Sequence, residues 1–461
     1  MTTNPAAEPT AVNPVRPQSA LEGAPPITPN LVRREEIPGA KQVGRNTIET
    51  LLFRGLSTPI AFALVILQSR FLEPDGRGAF VLAVLSVTIL SRLLGQLGIA
   101  VTSHLGRSRV ELRGLILRAL SIAVVVGAAG VAVLAAWGYA TDSLGAGLAT
   151  LAALALAPNV VWQTISGVLL GLARVRLWNY IQLLPPVLTV VGMLVLVVAF
   201  DGGVRGAILA WVIANVLTAA FALAATRALW LPLTIPRIAD QHGRTLLRLS
   251  LVLGAVQVVN LISYRIELFI LDRYRGLSEV GVYSIAMQAA EAMWLIPAAV
   301  ATAVTAPVVH ETEARAAALI ARGAVRGLAY TAGAAVAVGL AGPFVIPLVF
   351  GEAFAGAATP LAVLLPGVVA YGPVTVLVVY LSVRCRRPRL SLAVSVLAML
   401  VTTVAAVFLI PRFGGTGAAL ASTIGYVAGA GLAWGLFLRL RRGYGPSVVS
   451  QVANVSTPPP P

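Results

Sequence analysis

Cysteine, charge and histidine are scarce in this chain. Its 461 residues include one cysteine and three histidines. Cys385 alone excludes an intramolecular disulfide. With His104, His242 and His310 it offers no ligand spacing of the kind a zinc site needs. Charged residues make up 11% of the chain, where a soluble domain carries about 25%. That excludes a soluble enzyme, a disulfide scaffold and a mainly disordered protein. No G-x-x-x-x-G-K-S/T stretch occurs, which argues against ATP hydrolysis. No long loop on the side opposite the termini is available for a glycosyltransferase or polymerase centre. The chain is therefore not expected to be an enzyme, and no cofactor or metal is expected. Period-2 alternation is missing from the apolar runs, which excludes an outer-membrane barrel. The first apolar run starts near Leu51, after a polar tail, and is too long for a cleavable signal peptide.

Apolar length is what the chain has. Hydrophobic residues make up 58%, and twelve helices of about 20 residues would use just over half of the chain. Twelve apolar spans can be counted, at about 50–69, 79–100, 115–138, 146–171, 181–200, 206–226, 247–270, 281–306, 325–350, 357–381, 390–410 and 415–438. The expected fold is all-α: a polytopic membrane protein. Polar tails are expected over 1–45 and 441–461, a first six-helix lobe over 46–226, a linker over 227–246 and a second six-helix lobe over 247–440. Pro158, Pro297 and Pro366 lie inside spans 4, 8 and 10 and predict kinks there.

The net charge of +16 follows the same plan. Of the 34 Lys and Arg, 25 fall in the two tails and the loops after even-numbered spans, and six on the other side. The positive-inside rule then places both termini in the cytoplasm of a multi-pass cell-membrane protein. The basic residues are accounted for by topology and by contact with anionic membrane lipids rather than nucleic acid.

The spans repeat. Arg70-Phe71 and Gly78-Ala79-Phe80 correspond to Arg273-Tyr274 and Gly281-Val282-Tyr283 at an offset of 203. Gly206-Ala207-Ile208-Leu209-Ala210 corresponds to Gly417-Ala418-Ala419-Leu420-Ala421 at 211. Each half holds an even number of spans, so both enter from the same side. The two lobes are then related by a pseudo-two-fold along the membrane normal, an arrangement suited to alternating access.

The stretch from Arg45-Asn46-Thr47 through Gln68-Ser69-Arg70-Phe71-Leu72-Glu73-Pro74-Asp75-Gly76-Arg77-Gly78-Ala79-Phe80 resembles the opening of bacterial oligosaccharide flippases. These are polysaccharide-export members of the multidrug/oligosaccharidyl-lipid/polysaccharide exporter superfamily. Glu267 through Asp272-Arg273, with Gly281 and Tyr283, resembles the second-half version, and Phe413-Gly414-Gly415-Thr416-Gly417-Ala418-Ala419 the entry to the last helix. Glu73 stands where that family usually has glycine, and Glu267 where aspartate is usual. The resemblance implies an oligosaccharide cargo carried on a polyprenyl pyrophosphate and moved to the outer leaflet for a surface polymer. It implies glycosyltransferases and a polysaccharide polymerase as partners, and a central cavity lined largely by spans 1, 2, 7 and 8.

Those four spans carry polar residues at helical spacing: Arg54, Thr58 and Gln68; Thr88, Arg92, Gln96 and Ser103; Gln257, Asn260, Tyr264 and Glu267; Ser284, Gln288 and Glu291. They are expected to line a wet cavity, because burying them against lipid costs several kcal/mol each. Arg54 and Arg92 are candidates for the pyrophosphate, since guanidinium forks suit phosphate oxygens. Arg54 could equally snorkel to the interface, and Arg92 could form an ion pair with Glu291 across the lobes. Glu291 and Glu267 are candidates for a coupling proton or cation; the plainer reading of Glu267 is a charge satisfied near the headgroups. Gln257, Asn260 and Gln288 could hold sugar hydroxyls or join helices. Trp162, Trp178 and Trp294 read as packing or interface anchors. An ion-coupled drug exporter of the same superfamily is the nearest rival, but such exporters usually carry an acid in the first helix, where this chain has Arg54. The lipid II flippase branch generally has fourteen helices, and a non-transporting membrane scaffold would not need paired polar stripes.

Overall fold

The structure is a computed structural model that describes residues 40–103, 109–140, 146–233, 241–262, 264–385 and 387–443. Tails before residue 40 and after 443 lie outside these residues, while 40–45 and 441–443 belong to helices rather than to tails. The elements run α1 Ala40–Leu94, α2 Leu97–Thr102, α3 Arg109–Ala140, α4 Ala146–Ala153, α5 Leu156–Gly171, α6 Val175–Met193, α7 Gly203–Ala225, α8 Arg227–Trp230, α9 Gln241–Ile262, α10 Ile266–Arg275, α11 Leu277–Ala292, α12 Leu295–His310, α13 Glu313–Phe350, α14 Ala358–Val379 and α15 Pro388–Gly443. α9 thus starts six residues earlier than the expected second lobe, inside the expected linker.

Nine stretches among the described residues are long and apolar enough to cross a membrane. Two of them, of 48 and 53 residues, are far longer than one crossing needs. Each is divided by one residue outside helical geometry, Glu73 in α1 and Gly414 in α15, so each holds two crossings. The pair α9 and α10 supplies the twelfth. An even number of crossings leaves both termini on one face, called here the termini face; the opposite face is distal.

The sequence repeat reappears in the turns. Glu73 has φ 57° and ψ 175°, and Gly276, 203 residues on, has φ 83° and ψ 179°. Gly203 and Gly414, 211 residues apart, have φ 53° and 55°. The duplicated halves therefore turn on the distal face with the same backbone. At Gly276 this geometry is available to glycine, whereas a Cβ at Glu73 makes it strained by about 1–3 kcal/mol. Glu73→Gly is expected to raise stability by about 1–2 kcal/mol, read as a higher midpoint in thermal unfolding of the purified protein. An unchanged or lower midpoint would show that Glu73 is not strained.

Two of the three expected proline kinks coincide with breaks. Pro158 and Pro297 are each the third residue of a helix, α5 and α12, that restarts after a two-residue turn at 154–155 and 293–294. Each lacks the N–H that would bond the carbonyl four residues back, so the helix cannot run through that turn. Pro366 stays inside α14. Further breaks separate α1 from α2 at Gly95-Gln96 and α9 from α10 before Ile266, without proline.

Candidate transport site

Lobe contact is made by α1, α2 and α3 of the first half against α9, α11 and α13 of the second. On the distal side it is reciprocal. A Cβ placed on Gly78 would overlap the carbonyl oxygen of Leu277, and one on Gly281 would overlap that of Pro74. Gly78 and Gly281 are repeat mates at the offset of 203, and so are Pro74 and Leu277. Helix backbones touch here because neither glycine has a side chain to hold them apart. Arg70 extends the seam by donating from Nε to the Val349 carbonyl at 2.9 Å, and from Nη2 to that of Leu348. These are end carbonyls of α13 with no helical donor of their own. Phe62 packs edge-on against Phe350 and Trp137 against Phe269, both pairs crossing between the halves. Towards the termini face, Gly254 of α9 lies against the Leu93 backbone, and Ser250 Oγ donates to the Leu94 carbonyl at 3.4 Å.

Arg77 sits inside the distal seam. The sequence places it among the distal loop arginines, yet it is 0% exposed. Its Nε donates to Ser284 Oγ of α11 at 2.9 Å, and its Nη1 to Gln68 Oε1 at 2.9 Å and the Val65 carbonyl at 3.3 Å. Nη2 has no hydrogen-bond partner. Gln68 and Ser284, expected to line a cavity, are instead buried around this guanidinium.

The second lobe holds an ion pair at the breaks of two crossings. Arg265, in the turn before α10, donates from Nη1 to Glu291 Oε1 at 2.5 Å and from Nη2 to Oε2 at 2.8 Å. The geometry is the two-bond fork that makes arginine–carboxylate pairs strong. The expected alternative of an Arg92–Glu291 pair across the lobes is therefore not formed: Glu291 is taken by Arg265 of its own lobe. Sequence reading gave Arg265 no role. The signal was available, since an antiparallel pair of crossings turning at Gly276 brings residues 265 and 291, at similar distances from the turn, to within about 6 Å of the same depth, and both are charges inside apolar spans.

Glu267 is 1% exposed, so its carboxylate is enclosed by protein rather than open to headgroups. Its Oε1 accepts from Tyr283 Oη at 3.5 Å and Ser422 Oγ at 3.4 Å, both long bonds. Oε2 has no hydrogen-bond partner. Tyr264, Trp294, Tyr371 and Tyr426 cluster with ring centroids 5.2–6.4 Å apart. Tyr264 and Trp294 come from the same two turns as the ion pair.

The first lobe has Phe62 and Thr88 at the mates of the ion pair, and its buried polar network lies elsewhere. Asn159 Nδ2 and Trp162 Nε1 donate to Asn215 Oδ1 at 2.8 and 3.1 Å, and Asn215 Nδ2 donates to the Trp211 carbonyl at 2.8 Å. Gln163 donates to Asn159. This network joins α5 to α7 with no carboxylate in it. Trp162 thus packs and hydrogen-bonds as expected of an anchor.

Of the remaining expected site residues, Arg92 is exposed in the last turn before the α1–α2 break, beside the Leu93 contact with α9. Gln257 and Gln288 are half-buried on α9 and α11. The side chains of Arg54 and Asn260 lie outside those described.

A family model described as polysaccharide biosynthesis protein matches residues 43–313, more than half of the chain. No curated protein matches it by sequence. Among solved structures, the lipid II flippase MurJ in an inward closed conformation matches with a TM-score of 0.72 at 12% identity, over 90% of this chain and 94% of that one. An inward-facing multidrug resistance MATE transporter of the MOP superfamily matches with a TM-score of 0.68 at 16% identity, over 84% and 95%. A MOP superfamily transporter from Pyrococcus furiosus, described as having a binding pocket of reverse polarity, matches with a TM-score of 0.60 at 15% identity, over 87% and 95%. The chain thus shares its two-lobed helical fold with these transporters, and the family model over more than half of its length shows that it belongs to the polysaccharide biosynthesis protein family.

Proposed function

We propose that the chain flips a polyprenyl-pyrophosphate-linked oligosaccharide from the cytoplasmic to the outer leaflet, by alternating access of its two lobes. The observation that carries this is the reciprocal Gly78–Leu277 and Gly281–Pro74 contact. It shuts the distal side chiefly through backbone touching backbone at repeat-related positions, with a few hydrogen bonds and ring contacts from Arg77, Arg70 and Phe62 beside it, so the lobes can part there as bodies. The arginine distribution supports reading the distal face as the outer one. Arg92 and Arg54 meet the pyrophosphate as it enters from the cytoplasmic leaflet, and Gln257, Asn260 and Gln288 meet sugar hydroxyls. Glycosyltransferases and a polymerase would act before and after this step.

The second lobe supplies the coupling. Arg265 is committed to Glu291, so among the described residues no cation is in direct ion-pair contact with Glu267. A buried carboxylate without one needs a proton or a metal cation such as sodium.

The test is complementation of a strain lacking the gene. Lipid-linked glycan should accumulate on its cytoplasmic leaflet, and the native chain should restore surface glycan. Arg92→Ala should insert normally and restore export at least about tenfold less well, the value of one charge-assisted contact. Export by Glu267→Gln should no longer respond to collapse of the proton or sodium gradient. Normal surface glycan in the deletion strain would remove the export role, and a gradient response unchanged by Glu267→Gln would remove Glu267 from coupling.

A further inference from the structure

Arg77 is a buried guanidinium whose three bonded partners are all neutral, Ser284, Gln68 and the Val65 carbonyl. Its repeat mate is Val280, so the duplicated fold closes this seam on the other side without any charge. Packing alone therefore does not call for arginine here. Burial of an uncompensated charge costs several kcal/mol, which makes Arg77 an expensive choice unless another state of the protein uses it.

The direction of its bonds indicates that state. A guanidinium has a side-on edge made of Nε and Nη2, the edge that grips two oxygens of a phosphate or carboxylate at once. Nη1 is anchored to Gln68 and Val65, which belong to α1 like Arg77 itself. Nε is covered by Ser284 of the opposite lobe, and Nη2 is empty. Parting of the lobes at the Gly78–Gly281 seam would carry Ser284 away and leave Nη1 anchored. The two-pronged edge would then be exposed and already oriented.

We propose that Arg77 is an anion site of the outer-open state, masked by Ser284 while the outer seam is shut. Its ligand class is a phosphate or pyrophosphate group. The assignment rests on the export reading for which face is outer and for the cargo whose head group would pass this point on release.

The test uses the full chain in phosphatidylcholine nanodiscs, with Cys385→Ser and spin labels at Arg205→Cys and Phe413→Cys on the distal turns of the two lobes. Distances are measured by pulsed electron resonance as inorganic pyrophosphate is added. With Arg77 present, pyrophosphate should increase the longer-distance population. Ser284→Ala should raise that population before any anion is added. Arg77→Lys, which keeps the charge but loses the fork, should need about tenfold more pyrophosphate, and Arg77→Met should not respond. A response to pyrophosphate in Arg77→Met equal to that of the native chain would overturn the site. So would a longer-distance population raised by phosphatidylglycerol nanodiscs alone and unresponsive to pyrophosphate, which would give the fork to bilayer headgroups. Should Arg77→Met fail to fold, Ser284→Ala and Arg77→Lys still decide. An intact pyrophosphate response in a chain that exports no glycan would uphold the site and remove the cargo assignment instead.

Discussion

Gly78→Ala is expected to hold the two lobes apart on the distal side. The added methyl group falls on the Leu277 carbonyl, which is helix backbone and cannot rotate out of the way. The helices must separate by about one and a half ångströms to reach ordinary contact, and even a displacement of about an ångström in packed machinery can cost on the order of a hundredfold in rate. Export should fall at least about tenfold, and the spin-label distance between positions 205 and 413 should lengthen. Gly281→Ala should do the same through Pro74. The double variant should be little worse than either single one, because both changes open one seam and are not independent. Gly333→Ala is the control: nothing lies within 4 Å of a Cβ there, and export should be unchanged. Native distances and native export in Gly78→Ala would mean that the seam is not a moving contact.

The Arg265–Glu291 pair carries the second large effect. Both side chains are 23% exposed and lie within the crossings. Removing one partner leaves the other charged in a low-dielectric setting, at a cost of about 3–5 kcal/mol. Arg265→Met and Glu291→Met should each lower the thermal unfolding midpoint markedly and reduce the amount of inserted protein. Arg265→Met/Glu291→Met together should recover most of the lost stability, since an apolar pair of similar volume replaces a buried ion pair at little cost. Export should not return, because Glu267 would have lost the charged neighbours that set its affinity for a proton or cation. Recovery of export as well as stability would make the pair purely structural. Single variants as stable as the native chain would show that water, not the partner, satisfies each charge.

Much of this architecture was legible from residue order. Twelve crossings, a shared face for the termini and a parallel repeat all follow from apolar length and loop arginines, and the offsets of 203 and 211 return as matched backbone angles at Glu73 and Gly276, and at Gly203 and Gly414. Pro158 and Pro297 mark breaks because a missing N–H is a local property. Gly95-Gln96 and the turn before Ile266 were not legible, since those breaks depend on packing rather than on an absent donor. The polar stripes lie on crossings that meet between the lobes, but their spacing did not give the partners of the individual residues. Gln68 and Ser284 proved to be partners of Arg77, and Glu267 proved to be buried.

Residue order by itself determined that this chain must live in a bilayer and that its halves enter from the same side. Both follow from the free energy of moving side chains out of water, which each residue contributes wherever it packs. Tertiary structure alone decided which charges meet. Arg92 or Arg265 could have taken Glu291, and Arg77 could have faced water; the choice depends on how close two helices come, and at Gly78 and Gly281 that distance is set by the absence of a single carbon atom.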